Sequence, residues 1–233
     1  MAAHRSDRIM AHHQEARIVD LSHVIEHGMT TYPGLPGPHI CDFWERESTA
    51  ANYEDGSTFQ IGRIDMVANT GTYVDSPFHR YADGMDLADL PLGSLADLPA
   101  VVLRRPFEND IATDVGHFDG LDVRGKAVLV HTGWDRHWRT EAYGKEHSFI
   151  TAAAADWLVE NGAALVGIDS NNIDDTRVKA RPVHTKLLSA EIPICEHMTN
   201  LGSLPDSGFR FSAVPPKVRG MGTFPVRAYA VLS

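Results

Sequence analysis

The residues best suited to chemistry lie in the run Asn69-Thr70-Gly71-Thr72-Tyr73-Val74-Asp75-Ser76-Pro77-Phe78-His79. A carboxylate and an imidazole four residues apart can share a proton, and either can ligate a metal ion. Pro77 between them stiffens the path and disfavours a regular helix or a central strand, so both are expected on a rigid loop. Gly71, between two threonines, permits a sharp turn or a close backbone approach. An Asx-type turn carrying a surface histidine accounts for Asp75 and His79 equally well by themselves. His184 and Glu196 are further candidates, since like Asp75 they fall near the boundaries of expected strands. One imidazole and two carboxylates suit Zn, Mn or Fe, with room left for water.

The elements that must position these residues can be read in part. Ile18 to His23 is expected as the first strand, and Phe59 to Val67 as the imperfectly alternating strand that leads into the central run. Between them, Gly28 to Pro36 has the composition of an irregular loop that could wall a pocket. Ala100 to Leu103 and Ala127 to Val130 are short apolar runs expected as buried strands. Trp134 and Trp138, four apart, are expected on one helix face. Thr151 to Asn161 reads as a helix, with Thr151 at its start and Gly162 at its stop. Ala164 to Asp169 follows as a strand, and the polar run Asp169 to Asp175 lies at its end, where α/β proteins often place function. This helix-to-strand succession predicts a mixed β-sheet with covering helices, an α/β protein. No repeat or linker interrupts it, so residues 17–233 are expected to form a single domain behind a flexible arm at 1–16.

Bulk composition narrows the function. With 43% hydrophobic and 22% charged residues, the 233-residue chain has the make-up of an ordinary globular protein. Its formal net charge of -10 argues against nucleic acid or an anionic membrane as partner. No apolar run approaches a membrane span, and no secretory signal is evident. Cys41 and Cys195 make neither a disulfide framework nor a thiolate metal site, so a reducing cytoplasm is expected.

The central run resembles the cyclase-type metal-dependent hydrolases that include bacterial kynurenine formamidase and isatin hydrolase. Their motif is His-x-Gly-Thr-His-x-Asp-x-Pro-x-His. The likeness extends to Asp20-Leu21-Ser22-His23, the Gly28 to Pro36 loop, Gly167-Ile168-Asp169 and the run His184 to Leu204. It implies a mixed sheet of the swivelling β/β/α type, in dimers or larger assemblies. It also implies Asp75, His184 and Glu196 as metal ligands and His79 as the acid–base histidine. Where the family has two further ligand histidines this chain has Asn69 and Tyr73. An amide oxygen and a neutral phenol are poor ligands, so an atypical member is expected, with the two-metal site lost and either one divalent ion, Zn or Mn, or none.

The function expected on these grounds is hydrolysis of an amide, lactam or ester carbonyl of a small molecule by His79-assisted attack of water. Asp75 would position His79, while Tyr73 and Asn69 orient the carbonyl. The alternatives are a metal-free cyclase, dehydratase or isomerase on the same scaffold, and an inactive small-molecule-binding relative. A homodimer or higher homo-oligomer is expected from the resemblance, with the aromatic segment Thr132 to Phe149 offering surface for it.

Overall fold

A computed structural model describes residues 17–232; the arm expected at 1–16 lies outside the described residues. The strands are β1 (Arg17–Asp20), β2 (His39–Trp44), β3 (Ile61–Asp65), β4 (Tyr73–Asp75), β5 (Leu98–Arg104), β6 (Ala112–Thr113) and β7 (Ala127–His131). There follow β8 (Phe149–Ile150), β9 (Leu165–Ile168), β10 (Ile194–Glu196), β11 (Ser207–Ser212), β12 (Thr223–Pro225) and β13 (Tyr229–Leu232). The helices are α1 (Arg46–Thr49), α2 (Ala152–Glu160) and α3 (Pro182–Ser189). Nine strands form one mixed sheet in the order β1-β13-β11-β5-β7-β9-β10-β4-β12. Its centre, β5-β7-β9-β10, is parallel, and β4 and β12 add to it antiparallel.

The apolar runs divide between the two faces with the period of two that a strand imposes. Val101, Val128, Val130, Val166, Ile168 and Ile194 point to one face. There they meet Ala154, Ala155 and Leu158 of α2 and Val183, Leu187 and Leu188 of α3. Ala100, Val102, Leu129, Leu165, Cys195 and Val74 point to the other face, which packs with Val19, Leu21, Phe209, Phe211 and Ala230 as the sheet curls. Both strand faces being apolar is what marks the centre of a parallel sheet. Helix α2 starts as its sequence predicts, with Thr151 Oγ1 accepting from the Ala154 amide 3.2 Å away. It stops at Gly162, whose φ of +74° suits glycine.

Two expectations are corrected. Tyr73–Asp75 is a fully buried strand within the main sheet, paired on both edges, so Asp75 is not on a loop. Pro77 only terminates it: the proline opens a single 3-10 turn, Pro77–His79, that carries His79. Trp134 and Trp138 do not share a helix face. A short 3-10 turn ends at His137, Trp134 packs on Phe107, and Trp138 stacks on His23 at 4.0 Å and 6°.

The hairpin β2–β3 stands outside the main sheet. All five residues of β3 are exposed, and Phe43, Trp44, Ile61 and Ile64 turn large apolar side chains to solvent. Among the described residues no helix is long and apolar enough to cross a membrane.

Candidate active site

Strand register assembles the site. In an antiparallel pair, directly opposed residues present side chains on the same face. Tyr73 faces Glu196 of β10, and Asp75 faces Thr223 of β12. Val74 and Cys195 therefore turn to the apolar core, leaving the polar residues on the opposite face. His79 arrives from the turn beyond β4. That turn lies so close to β12 that a Cβ on Gly222 would sit 2.4 Å from the His79 amide nitrogen. His184, on the first turn of α3, completes the group.

One donor atom each from Asp75, His79 and His184 lie within 4.8 Å of one another. The surrounding hydrogen bonds dictate which atoms are free. Asp174 accepts from the Val183 and His184 amides and from His184 Nδ1 at 2.7 Å. His184 therefore carries a proton on Nδ1 whatever the state of Nε2, which is turned toward Asp75 Oδ2, 3.7 Å away. The Thr223 hydroxyl donates to Asp75 Oδ1, a carboxylate that can only accept, so it must in turn accept from His79 Nδ1 at 2.8 Å. His79 Nε2 is left with a lone pair. Asp75 Oδ2 is buried and has no hydrogen-bond partner among the described residues. Two neutral-nitrogen positions and one carboxylate oxygen, each oriented by a second residue, are a donor set that fits one divalent ion.

The electrostatics favour a cation at this point. Burial lowers the affinity of His184 for a proton, yet Glu196, Asp174 and Asp75 outweigh it and raise its pKa to about 10. Asp75 loses affinity for protons despite its burial, because the imidazoles of His184 and His79 and the Thr223 hydroxyl outweigh that cost. At 3.7 Å His184 acts on Oδ2 as a charge and not as a hydrogen-bond donor. Burial, resisted by His184 and reinforced by Asp75, raises Glu196 to about 7. Either a proton on His184 Nε2 or a divalent ion in its place would satisfy the same carboxylates.

The site opens into a pocket of about 370 Å³ lined by Asn69, Tyr73, His79, Asn172, His184 and Glu196, and walled by residues 32–35. The Gly28 to Pro36 loop thus walls the pocket, whereas Trp134 lines a separate cleft with Phe107 and His137. Every sequence candidate is brought together: Asn69, Tyr73, Asp75, His79, His184 and Glu196. Glu196 stands beside the triad, with Oε1 3.6 Å from His184 Nε2 and bonded by the Ile173 amide. Its Oε2 accepts from the Tyr73 hydroxyl at 2.8 Å. Sequence reading missed Thr223 and Asp174 as individual residues. Asp174 lay within the polar run after β9, but nothing local to Thr223 marks it, because its role follows from register.

A family model described as "Putative cyclase" matches residues 19–175. The chain belongs to this cyclase family. Kynurenine formamidase of Erythrobacter litoralis is 26% identical over 208 residues, which cover 88% of each chain. That of Geobacillus thermodenitrificans is 28% identical over 213 residues, 90% of this chain and 95% of the relative. Isatin hydrolase A from Labrenzia aggregata shares the fold, with a TM-score of 0.79 at 20% identity over 93% of this chain and 94% of that one. So does a potential metal-dependent hydrolase with cyclase activity, with a TM-score of 0.76 at 24% identity over 94% and 99%. The mixed α/β sheet with flanking helices is that of these proteins.

One expectation from the resemblance is overturned. Asn69 and Tyr73 do not make the chain an atypical member with a depleted site. Asp75, His79 and His184 form an intact group of three mutually close donors. Counting ligands by motif position leaves out His79, while the turn at Pro77 folds that imidazole back onto Asp75.

Proposed function

We propose that the protein is a hydrolase attacking an amide, lactam or ester carbonyl of a small molecule at a site that takes one divalent ion, zinc or manganese. Asp75 Oδ2, His79 Nε2 and His184 Nε2 would hold it, with His79 a ligand and not the acid–base histidine. The observation that carries this reading is the convergence of Asp75, His79 and His184, with Nδ1 of His184 engaged by Asp174 and Nδ1 of His79 by Thr223. Such an ion, when bound, polarises a carbonyl oxygen and lowers the pKa of a water molecule. Glu196, raised toward neutrality and bordering the pocket, is suited to take a proton from the attacking water. The water oxygen bonds to the carbonyl carbon, the carbon–nitrogen or carbon–oxygen bond breaks, and Glu196 returns the proton to the leaving atom. Asn69 and Asn172 orient the substrate from the pocket wall. Tyr73 supports Glu196 through its hydroxyl and does not address the carbonyl itself.

The names formamidase and isatin hydrolase among the relatives support hydrolysis of this carbonyl class. A second reading has one observation in its favour. An imidazolium at His184, with its pKa raised to about 10, would balance the carboxylates without an ion, as metal-free cyclase, dehydratase or isomerase chemistry would require. Elemental analysis of protein purified without added metal, with activity on formamides, lactams and esters before and after chelation, separates the two. Activity that survives complete removal of metal would sink the first reading. We also read the protein as a cytoplasmic homo-oligomer: Cys41 and Cys195 are free thiols, and the exposed apolar face of β2–β3 supports self-association. The Thr132 to Phe149 segment is less suited to that role, since Trp134 and Tyr143 are buried.

A further inference from the structure

A line of buried polar groups runs from Glu196 and Tyr73 at the pocket back to His197 and Tyr143, and these last two take no part in the proposed reaction. Tyr143 Oη lies 2.9 Å from His197 Nδ1, and His197 Nε2 lies 3.2 Å from Tyr73 Oη. Tyr73 Oη lies 2.8 Å from Glu196 Oε2. Tyr143, His197, Tyr73 and Glu196 are 4%, 0%, 2% and 1% exposed, so water cannot readily substitute for a missing partner. His197 itself adopts a φ of +53°, uncommon for a residue with a Cβ, and its carbonyl accepts from Thr72 Oγ1 at 2.6 Å.

The protons along this line have two consistent orders. In one, Tyr143 donates to His197 Nδ1, His197 Nε2–H donates to Tyr73, and Tyr73 donates to Glu196. In the other, His197 carries its proton on Nδ1 and donates to Tyr143, while Tyr73 donates to His197 Nε2. The second order takes the Tyr73 hydroxyl away from Glu196 Oε2 and points the Tyr143 proton away from the line. An ionised buried carboxylate accepts only, and leaving one of its oxygens without a donor is expensive, so with Glu196 ionised the second order is disfavoured. The first order satisfies every member.

We propose that Tyr143 and His197 are positioning residues for Glu196: Tyr143 locks His197 as the Nε2–H tautomer, which commits the Tyr73 hydroxyl to Glu196 Oε2. With Oε2 held by Tyr73 and Oε1 by the Ile173 amide, the carboxylate cannot rotate away from His184. The importance of Glu196 to turnover rests on the proposed function; the locked tautomer does not. Coupling along such a line is reciprocal: if His197 holds Glu196, the carboxylate also holds the tautomer of His197.

The test is ¹⁵N NMR of the histidine rings in full-length, metal-stripped protein at about pH 9, where Glu196 is ionised, with the His197 signals assigned by their loss in His197→Gln. The parent should show His197 protonated at Nε2 alone. Tyr143→Phe keeps the ring that packs edge-on against Trp138 at 5.0 Å and deletes only the hydroxyl. It should shift both His197 nitrogen signals toward a mixture of tautomers. Glu196→Gln, which can donate as well as accept, should do the same from the other end of the line. Nδ1 protonation in the parent would overturn the proposal, as would an unchanged His197 signal in either folded variant. Neither readout depends on metal or activity, so a failed hydrolysis panel would refute the proposed function and leave this result to stand or fall separately.

Discussion

Thr223→Val should weaken the metal site while leaving its geometry recognisable. Valine matches threonine in shape and suits a strand, so β12 keeps its pairing with β4. What disappears is one hydroxyl that donates to Asp75 Oδ1 and accepts from His79 Nδ1. Asp75 is fully buried, and among the described residues its Oδ2 has no hydrogen-bond partner, so its carboxylate would lose the Thr223 hydroxyl donor with nothing to replace it. Removing a donor from a buried carboxylate costs about 2 kcal/mol. For a chain of this size that lowers Tm by roughly 4–8 °C. His79, freed at Nδ1, can place its proton on either nitrogen, so only part of the population offers the Nε2 lone pair. Loss of a group that orients a ligand weakens metal binding about 10–100-fold. Calorimetric zinc titration of metal-stripped protein at pH 7 reads the affinity, and a thermal melt reads the stability. Thr223→Ser, which retains the hydroxyl, should lie close to the parent in both. The pH dependence has a definite sign. Asp75 has a lowered folded pKa, so its contribution is present above the unfolded carboxylate range and is lost as pH falls through the folded value. The stability difference between parent and Thr223→Val should therefore shrink on strong acidification. Unchanged zinc affinity in folded Thr223→Val would refute the orienting role; a lower Tm with unchanged affinity would leave the hydroxyl a purely structural part.

Chelation should lower Tm, and zinc at about a hundred times its Kd should restore about 2.7 kcal/mol of stability, read by thermal melts with and without metal. A melt indifferent to zinc would count against the ion. Asp174→Asn should bind zinc about tenfold or more weakly in the same titration, because a carboxylate that holds His184 Nδ1 becomes a neutral amide. His23 is held near a pKa of about 4, since burial outweighs the pull of Asp135. A histidine pKa depressed on folding means that the unfolded chain takes up more protons, so stability falls as pH drops from about 6.5 toward 4. His23→Phe keeps the stack on Trp138 and should flatten the denaturant midpoint across that window; an unaltered slope would contradict it. Phe43→Asp with Ile64→Asp should lower the oligomeric state seen by light scattering, and a parent that is already monomeric would remove the basis for assembly through β2–β3.

The sequence made the centre of the fold legible because its signals there are local. Ala127 to Val130 and Ala164 to Asp169 are apolar runs of strand length, and Thr151 and Gly162 bracket a helix by their own conformational preferences. β4 was not legible, because Tyr73–Asp75 has only three residues and its strand character comes from β10 and β12 on either side. Pro77 breaks the strand, but its reach extends only forward into the turn Pro77–His79 and not back to Asp75. The same distinction separates the site residues. Asp75, His79, His184 and Glu196 could be nominated by type, while the arrangement that decides their roles depends on contacts across 148 residues between Asp75 and Thr223 and 123 between Tyr73 and Glu196.

That separation explains how a count of ligands by motif position could mislead. A motif position specifies where a residue sits in the chain, whereas a ligand is specified by a lone pair and by the group that holds its other polar atom. At the proposed ion site those holding groups would be Thr223 for His79 and Asp174 for His184. Thr223 also bonds Asp75 and joins two of the three donors through one hydroxyl. The site should therefore tolerate substitutions along the pocket wall, such as at Leu35, better than substitutions at Thr223 and Asp174, even though these two do not border the pocket.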